Sequence, residues 1–566
     1  MSSISSDDRR GAVAEKSAAA KVVSPAGPLD VSDRTGDRRW GVVAILAAAA
    51  PALIAAAAMV VQRPSIYFDG DPAKDELALI NAGHLAQLVG SNGRFGWSHP
   101  GPAWYYALEP FYLSLGGHSW SFVAANLLIN GIALGLIVAV VWRARGSLLA
   151  LFTAGVLVGY VALLGEQMFR YTWPPYAVVL PMFLLMVVAA AGAAGSTPAV
   201  AAALVVGSYA VQVHVGTVPT VAAVLAIMLA LRFAPVLFPR WATSIPAARV
   251  SRGRWDRHLV WGGLLLFVLM WIPPAIDELT GHPGNLTLLW TFFTQNYPKH
   301  PYVQALSVLG RLVTPLEWPR VGSFQTPDIS RVSPIFIAVA VAFEVCSLAL
   351  VVVATRLRDR FAQSIGAVVA VSGLVVTLSI RDIDGSVYAY LLLWVTCLPL
   401  VLGVGWIALI PRLQPRPLGH VSARAPRGWV LLLTAAVIAM SILDVVAFLT
   451  LPPVPTAAPD TQTAWALTSV ALASEPKGPV LVDMYTPDTW VVAAGLGLQL
   501  QKDGRPMRVR DDWVFLFGHQ ARMTGAEKIV LAVVDLPDST TYASQHPGAD
   551  LIGSTDAHSI FLTRGS

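Results

Sequence analysis

Charge is what this chain has least of. Only 13% of its 566 residues are Asp, Glu, Lys or Arg, about half the ~25% of an ordinary soluble domain. So few charges cannot cover the surface of a soluble protein of this length. Cysteine is nearly missing. Cys346 and Cys397 both fall inside apolar runs, which excludes a disulfide scaffold and gives no metal-ligand spacing. Lysine is rare, 7 against 32 arginines. That bias, with abundant Ala, Gly and Pro, is typical of a GC-rich bacterial genome. No glycine-rich loop of dinucleotide or phosphate-binding type occurs. Disorder, collagen and coiled coil are excluded by the 55% hydrophobic content and the absence of a fitting repeat.

What the chain has instead is long apolar runs. Eleven are expected to cross a bilayer, at about 41–61, 121–141, 147–165, 174–194, 198–214, 216–232, 259–276, 334–355, 364–380, 387–409 and 429–450. Each approaches the ~20 residues needed to span ~30 Å of hydrocarbon. Residues 1–40 are polar and lack a signal-peptide cleavage site, so the first run reads as a retained anchor after a disordered tail. The fold class is therefore a polytopic α-helical membrane protein, with the spanning domain at 41–451.

Arginine and lysine set the orientation. With the N-terminus in the cytoplasm, the inner segments hold 22 basic residues, and the outer loops before the last span hold nine over longer stretches. The net charge of +5 is then a topology signal, and a nucleic-acid partner is rejected. Eleven spans place residues 452–566 outside. A Pro-rich stretch, Leu451 to Pro459, leads into strand-like runs Val480–Met484, Met507–Arg510, Val514–Phe517 and Ile529–Val534, with a helix at 488–501. The alternation predicts a small extracytoplasmic α/β domain.

Two outer loops are long, 63–120 and 273–333. The first carries Asp69, Asp71, Asp75 and Glu76. Ala73, Leu77, Ile80, His84 and Leu88 share one face at helical spacing, so 72–89 predicts an amphipathic helix lying at the membrane interface. Asp71, just before Pro72, is a good N-cap, and a carboxylate there also suits a general base toward a hydroxyl. Asp75 and Glu76 read as a solvated helix start. Asp69 and Asp71 are weak candidates to hold a divalent cation, Mg²⁺ or Mn²⁺. Further along come Arg94, Trp97 and His99 within a Gly/Pro-rich turn. Trp104, Tyr105 and Tyr106 look like an interfacial aromatic belt.

Other polar groups sit at the outer ends of spans. Arg170 and Arg381 suit a lipid phosphate, against a snorkelling Arg170 and an Arg–Asp pair within the Arg381-Asp-Ile-Asp384 turn. His214 reads as a satisfied polar core group. The second long loop predicts an interfacial helix at 285–296. Glu344 and Asp444 lie within spans, where a transporter or lipid flippase would keep its acids. A non-catalytic envelope assembly protein is a further reading.

Gly70-Asp71 opening a helix with Glu76-Leu77, then Arg94-Phe-Gly-Trp97, His99-Pro-Gly-Pro102, Trp173-Pro-Pro175 and Gln212-Val-His-Val-Gly216, resemble the GT-C class of bacterial membrane glycosyltransferases. The protein O-mannosyltransferase-like and arabinofuranosyltransferase-like enzymes belong to that class. The resemblance covers about 41–410. It implies a polyprenyl-phosphate sugar donor, an extracytoplasmic glycan, lipid or protein acceptor, and a multi-pass protein of the bacterial plasma membrane. It further implies inverting transfer, with Asp71 as base and Asp75 as a second candidate in the same helix turn. Glu76 joins them as a catalytic candidate. Arg94, Trp97, His99, Arg170, His214, Arg381 and Asp384 are substrate-side candidates.

Overall fold

The computed structural model describes residues 31–93, 95–237, 254–323, 327–413, 427–451 and 458–565. Arg94 therefore lies outside the described residues, as do residues 1–30 of the N-terminal tail. Among the described residues ten helices are long and apolar enough to cross a membrane, and an eleventh apolar helix, Thr197–Val213, has 17 residues. Each matches one expected span.

The chain runs through α1 (Val31–Gln62), α2 (Gly70–Gly83), α3 (Ala103–Ser114), α4 (Ser119–Arg145) and α5 (Ser147–Leu164). Then follow α6 (Pro174–Ala193), α7 (Thr197–Val213), α8 (Val215–Ala234) and α9 (Arg254–Thr280). Helices α10 (Asn285–Phe293) and α11 (Tyr302–Leu312) occupy the second long loop. The last spans are α12 (Pro334–Arg356), α13 (Arg360–Arg381), α14 (Ala389–Arg412) and α15 (Arg427–Thr450). Helix α6 is the centre of the bundle. It is apolar on every side and almost wholly buried, as a helix hydrophobic all round must be. At one end of the bundle Asp37 accepts from the Trp142 indole (3.1 Å), while buried Asp359 takes Arg145 and Arg412. Helix α2 and the C-terminal domain gather at the other end.

The C-terminal domain is a five-stranded sheet in the order β2-β1-β3-β5-β4, from β1 (Val480–Met484), β2 (Met507–Arg508), β3 (Ile529–Asp535), β4 (Asp550–Ser554) and β5 (His558–Arg564). Strands β1, β2 and β3 are parallel and β5 runs antiparallel to β3. Helices α16 (Pro459–Ala471) and α17 (Trp490–Lys502) accompany it. The expected strand at Val514–Phe517 is instead a helical turn closed by Gly518 at φ +86. A four-residue apolar run does not distinguish strand from helix.

Helix α2 ends at Gly83, short of the expected 89, and the chain turns through Leu85 at φ +55. The helix is clamped between α3 and α17, and Pro72 through Glu76 are all buried. The solvated helix start expected for Asp75 and Glu76 is therefore wrong, because Ser91 and Tyr105 cover Asp75, while Tyr112, Ser119 and Lys502 of the C-terminal domain cover Glu76. Trp104 and Tyr105 are likewise buried rather than part of an interfacial belt. Glu344 of α12 faces Gly373, and Asp444 of α15 is buried beside Phe448. Neither lines the large cavity described next.

Candidate active site

A cavity of about 730 Å³ opens where the membrane helices meet the C-terminal domain. Its walls come from α2, the 91–99 hairpin, the starts of α6 and α8, the end of α10, the turn after α13, and the C-terminal domain. Asp71, Trp97, His99, His214 and Asp384 all line it. A size of several hundred Å³ and a mostly apolar lining with a few convergent polar groups are usual for a small-molecule site.

Asp71 sits in the first turn of α2 without capping it; the N-cap is Asp69, whose side chain makes no cap bond. The Asp71 carboxylate takes a hydrogen bond from the Lys74 ammonium, Nζ to Oδ1 at 2.8 Å. Lys74 is 4% exposed and also donates to Asn92. Burial opposes the ammonium charge, but Asp71 and Asp75 outweigh it and hold Lys74 above its ordinary pKa. Lys74 thus fixes Oδ1 of Asp71, whose side chain lines the cavity.

Asp75, one turn on, is fully buried and does not line the cavity. Ser91 and Tyr105 both donate to its Oδ1, each at 2.7 Å. Its Oδ2 has no hydrogen-bond partner among the described residues. Burial pushes its pKa up to about 6, against the pull of Lys74. The ionised form is therefore disfavoured in the fold. Its contribution to stability is fully present below about pH 4 and is lost as pH rises through about 6. Melting temperatures of the wild type measured between about pH 4 and 7 are expected to carry this decline, and those of Asp75→Asn to lack it. Parallel curves would contradict the assignment.

Glu76 faces the other way. It accepts from Tyr112 (2.9 Å) and Ser119 (2.7 Å) and pairs with Lys502 of α17 at 2.5 Å. It holds the C-terminal domain against α2 and is not at the cavity.

His99 is placed by a short hairpin. Its N–H donates to Ser91 O (2.8 Å), and Gly90 N–H donates back to His99 O (3.0 Å). Asn285 closes the turn from outside through Ser98, accepting from its N–H at 2.8 Å and donating to its carbonyl at 2.9 Å. The approach is tight. A Cβ on Gly90 would stand 2.8 Å from Gly101 O, and one on Gly101 would stand 2.4 Å from Gln212 Oε1. The imidazole Nδ1 accepts the Val215 N–H at 3.2 Å, so the ring proton belongs on Nε2. Burial, His214 and Lys74 push its pKa well down, so the ring is neutral. The His214 ring lies 5.0 Å from it. Contrary to the satisfied core group expected, His214 Nδ1 has no partner among the described residues. Trp97 packs against Phe292 and Phe293 of α10 at 5.5 and 6.0 Å.

The two phosphate candidates lie elsewhere. Arg170 is buried and reaches Phe448 O and Leu451 O at the end of α15. Arg381 donates to His300 O (3.2 Å) and stacks on Tyr302, 3.6 Å from the ring centre. Neither lines the cavity. The Arg–Asp pair expected within the Arg381–Asp384 turn gives way to Lys299 on Asp382 at 2.8 Å. Sequence reasoning missed Lys74, Asn285, Lys299 and the C-terminal wall of Trp490, Trp513 and Phe515. Only the spacing of Lys74 from Asp71, one helical turn, signals its role in advance. Asp69 and Asp71 make a thin cation site, because Lys74 takes an Asp71 oxygen and the described residues hold no cluster of three or more His, Cys, Asp or Glu placed for a metal.

No protein-family model matches the sequence, and no curated protein does. Among solved structures, ArnT from Cupriavidus metallidurans, a crystal structure in the apo state, matches with a TM-score of 0.51 at 14% identity. The match covers 94% of this chain and 98% of that one. The chain has the GT-C fold. At this identity the likeness speaks for the fold, which extends over the membrane helices and the C-terminal domain alike. The GT-C architecture expected from the short motifs is thereby shown, and with it a multi-pass membrane protein.

Proposed function

We propose that this protein transfers a sugar from a polyprenyl-phosphate donor to a hydroxyl of an acceptor on the extracytoplasmic side of a bacterial plasma membrane. The observation that carries the reading is the Asp71 carboxylate, held by Lys74 and presented to a 730 Å³ cavity between membrane helices and a domain outside them. The GT-C fold supports the reaction class. The positive-inside rule supports the sidedness, because Arg145, Arg356 and Arg412 cluster at the end away from the cavity. A donor that crosses with the membrane suits a chain without a nucleotide-binding loop.

In this reading Asp71 Oδ2 takes the proton from the acceptor hydroxyl as that oxygen bonds to C1 of the sugar. The C1–O bond to the lipid phosphate breaks on the opposite face, and its electron pair leaves with the phosphate. Configuration at C1 inverts. The imidazoles of His99 and His214, with the Lys299 ammonium, are among the cavity groups that can donate to phosphate oxygens. The apolar wall of Pro174, Pro175, Pro219, Leu391 and Leu392 suits the first isoprene units.

The test is incubation of the purified protein in nanodiscs with a panel of polyprenyl-phosphate sugars. Release of free polyprenyl phosphate from one of them is expected. No release across the panel, with membrane extract supplied as acceptor, would remove the transfer reading.

A further inference from the structure

One wall of the cavity belongs to the C-terminal domain. The chain leaves β2, makes a 3₁₀ turn at Asp511–Trp513, and continues into the helical turn Val514–Phe517. Val514 and Phe517 are buried, and the segment packs against α2. Trp513 and Phe515 face the cavity, 6.3 Å apart with ring planes within 20° of parallel. Phe515 is 49% exposed, and a large apolar side chain left open beside a second aromatic in a cavity marks a binding surface. Trp490 continues the wall and lies against Gly70, next to Asp71.

This wall belongs to the C-terminal domain, whereas the apolar wall of Pro174, Pro175, Pro219, Leu391 and Leu392 belongs to the membrane helices. A lipid chain therefore has its own surface elsewhere in the cavity. Two nearly parallel aromatic faces suit the C–H face of a saccharide ring, whose hydroxyls point outward at the rim. Asp511 and Asp512, both exposed beside Trp513, supply acceptors for such hydroxyls. Lys74 pairs with Asp71 and Lys299 with Asp382, so the charged side chains lining the cavity, Asp384 included, leave no surplus of positive charge among the described residues. That balance disfavours an anionic acceptor. We infer that Trp513 and Phe515 form the acceptor subsite, that the acceptor is a neutral saccharide chain, and that stacking there turns one of its hydroxyls toward Asp71. The assignment of the ligand as acceptor rests on the transfer reading above.

The experiment measures binding, with turnover as a separate readout. Full-length protein in nanodiscs is titrated with neutral linear oligosaccharides, three to six units long, of hexopyranose and pentofuranose type. Dodecyl phosphate serves as the donor-side probe. At least one oligosaccharide is expected to bind the wild type, and Trp513→Ala or Phe515→Ala to raise its Kd about tenfold. Trp513→Phe is expected to restore most of the binding, and dodecyl phosphate to bind all variants alike. Melting temperatures near that of the wild type show that the variants fold. The inference is overturned if no oligosaccharide binds, if the alanine variants bind as the wild type does, or if they lose dodecyl phosphate instead. Trp513-dependent saccharide binding without polyprenyl phosphate release from any donor would leave a saccharide site standing and remove the transfer reading.

Discussion

Asp71→Asn is expected to lower sugar transfer by a factor of about 10²–10⁴, the usual contribution of a positioned general base, while the protein folds normally. Asparagine keeps the shape of the side chain and an oxygen for the Lys74 ammonium, which holds Asp71 at 2.8 Å in the wild type. Lys74 also keeps Asp75 close by as a counter-charge, so the helix start survives. What is lost is the oxygen that can take a proton. Asp75→Asn is the matched control. Its carboxylate is buried under Ser91 and Tyr105 and does not reach the cavity, so transfer is expected to stay within about tenfold. Radiolabelled donor with chromatographic separation of product reads both variants. Wild-type turnover by Asp71→Asn, or a larger loss in Asp75→Asn, would exchange the roles of the two acids.

Lys502→Ala is expected to destabilise the docking of the C-terminal domain by about 3 kcal/mol, because removing one partner of a buried pair strands the other charge. Glu76 is fully buried, and Lys502 is its only cationic partner among the described residues. Tyr112 and Ser119 still donate to the carboxylate, which stops short of neutralising it. The double variant Lys502→Ala with Glu76→Gln is expected to recover most of the loss, since the amide keeps an acceptor for Tyr112 without a charge. Thermal unfolding, and release of a C-terminal fragment under limited proteolysis, follow the effect. Equal stability of the single and double variants would mean that the pair does not hold the two parts together.

The membrane part of this fold was open to reading from the sequence because its signal is local. Each span is one apolar run with polar ends, and even the nearly continuous pair at 198–232 is divided by His214 alone. Asp71 was legible for the same reason, as an acid beside a proline opening a helix. Asp75 and Glu76 were misread because their environment is assembled from afar. Tyr105 and Tyr112 lie on the next helix, and Lys502 is more than four hundred residues away on another domain. Arg170 and Arg381 have the right chemistry for phosphate, but side-chain direction is not written in a run of letters. One points to the end of α15 and the other to a tyrosine ring. The aromatic wall was invisible because Phe515 belongs to a run that reads as a strand and Trp513 stands just before it.

Helix α7 has 17 residues, and at 1.5 Å per residue it is about 25 Å long. A hydrocarbon layer ~30 Å deep overshoots it by roughly 5 Å, so lipid must thin, or the helix end must sit recessed, on that flank. His214 ends this short helix and lines the cavity. In the transfer reading proposed above, a prenyl carrier arriving along that flank would meet His214 at the end of a span shorter than the hydrocarbon is deep, and its tail would stay in oil while its phosphate is seated.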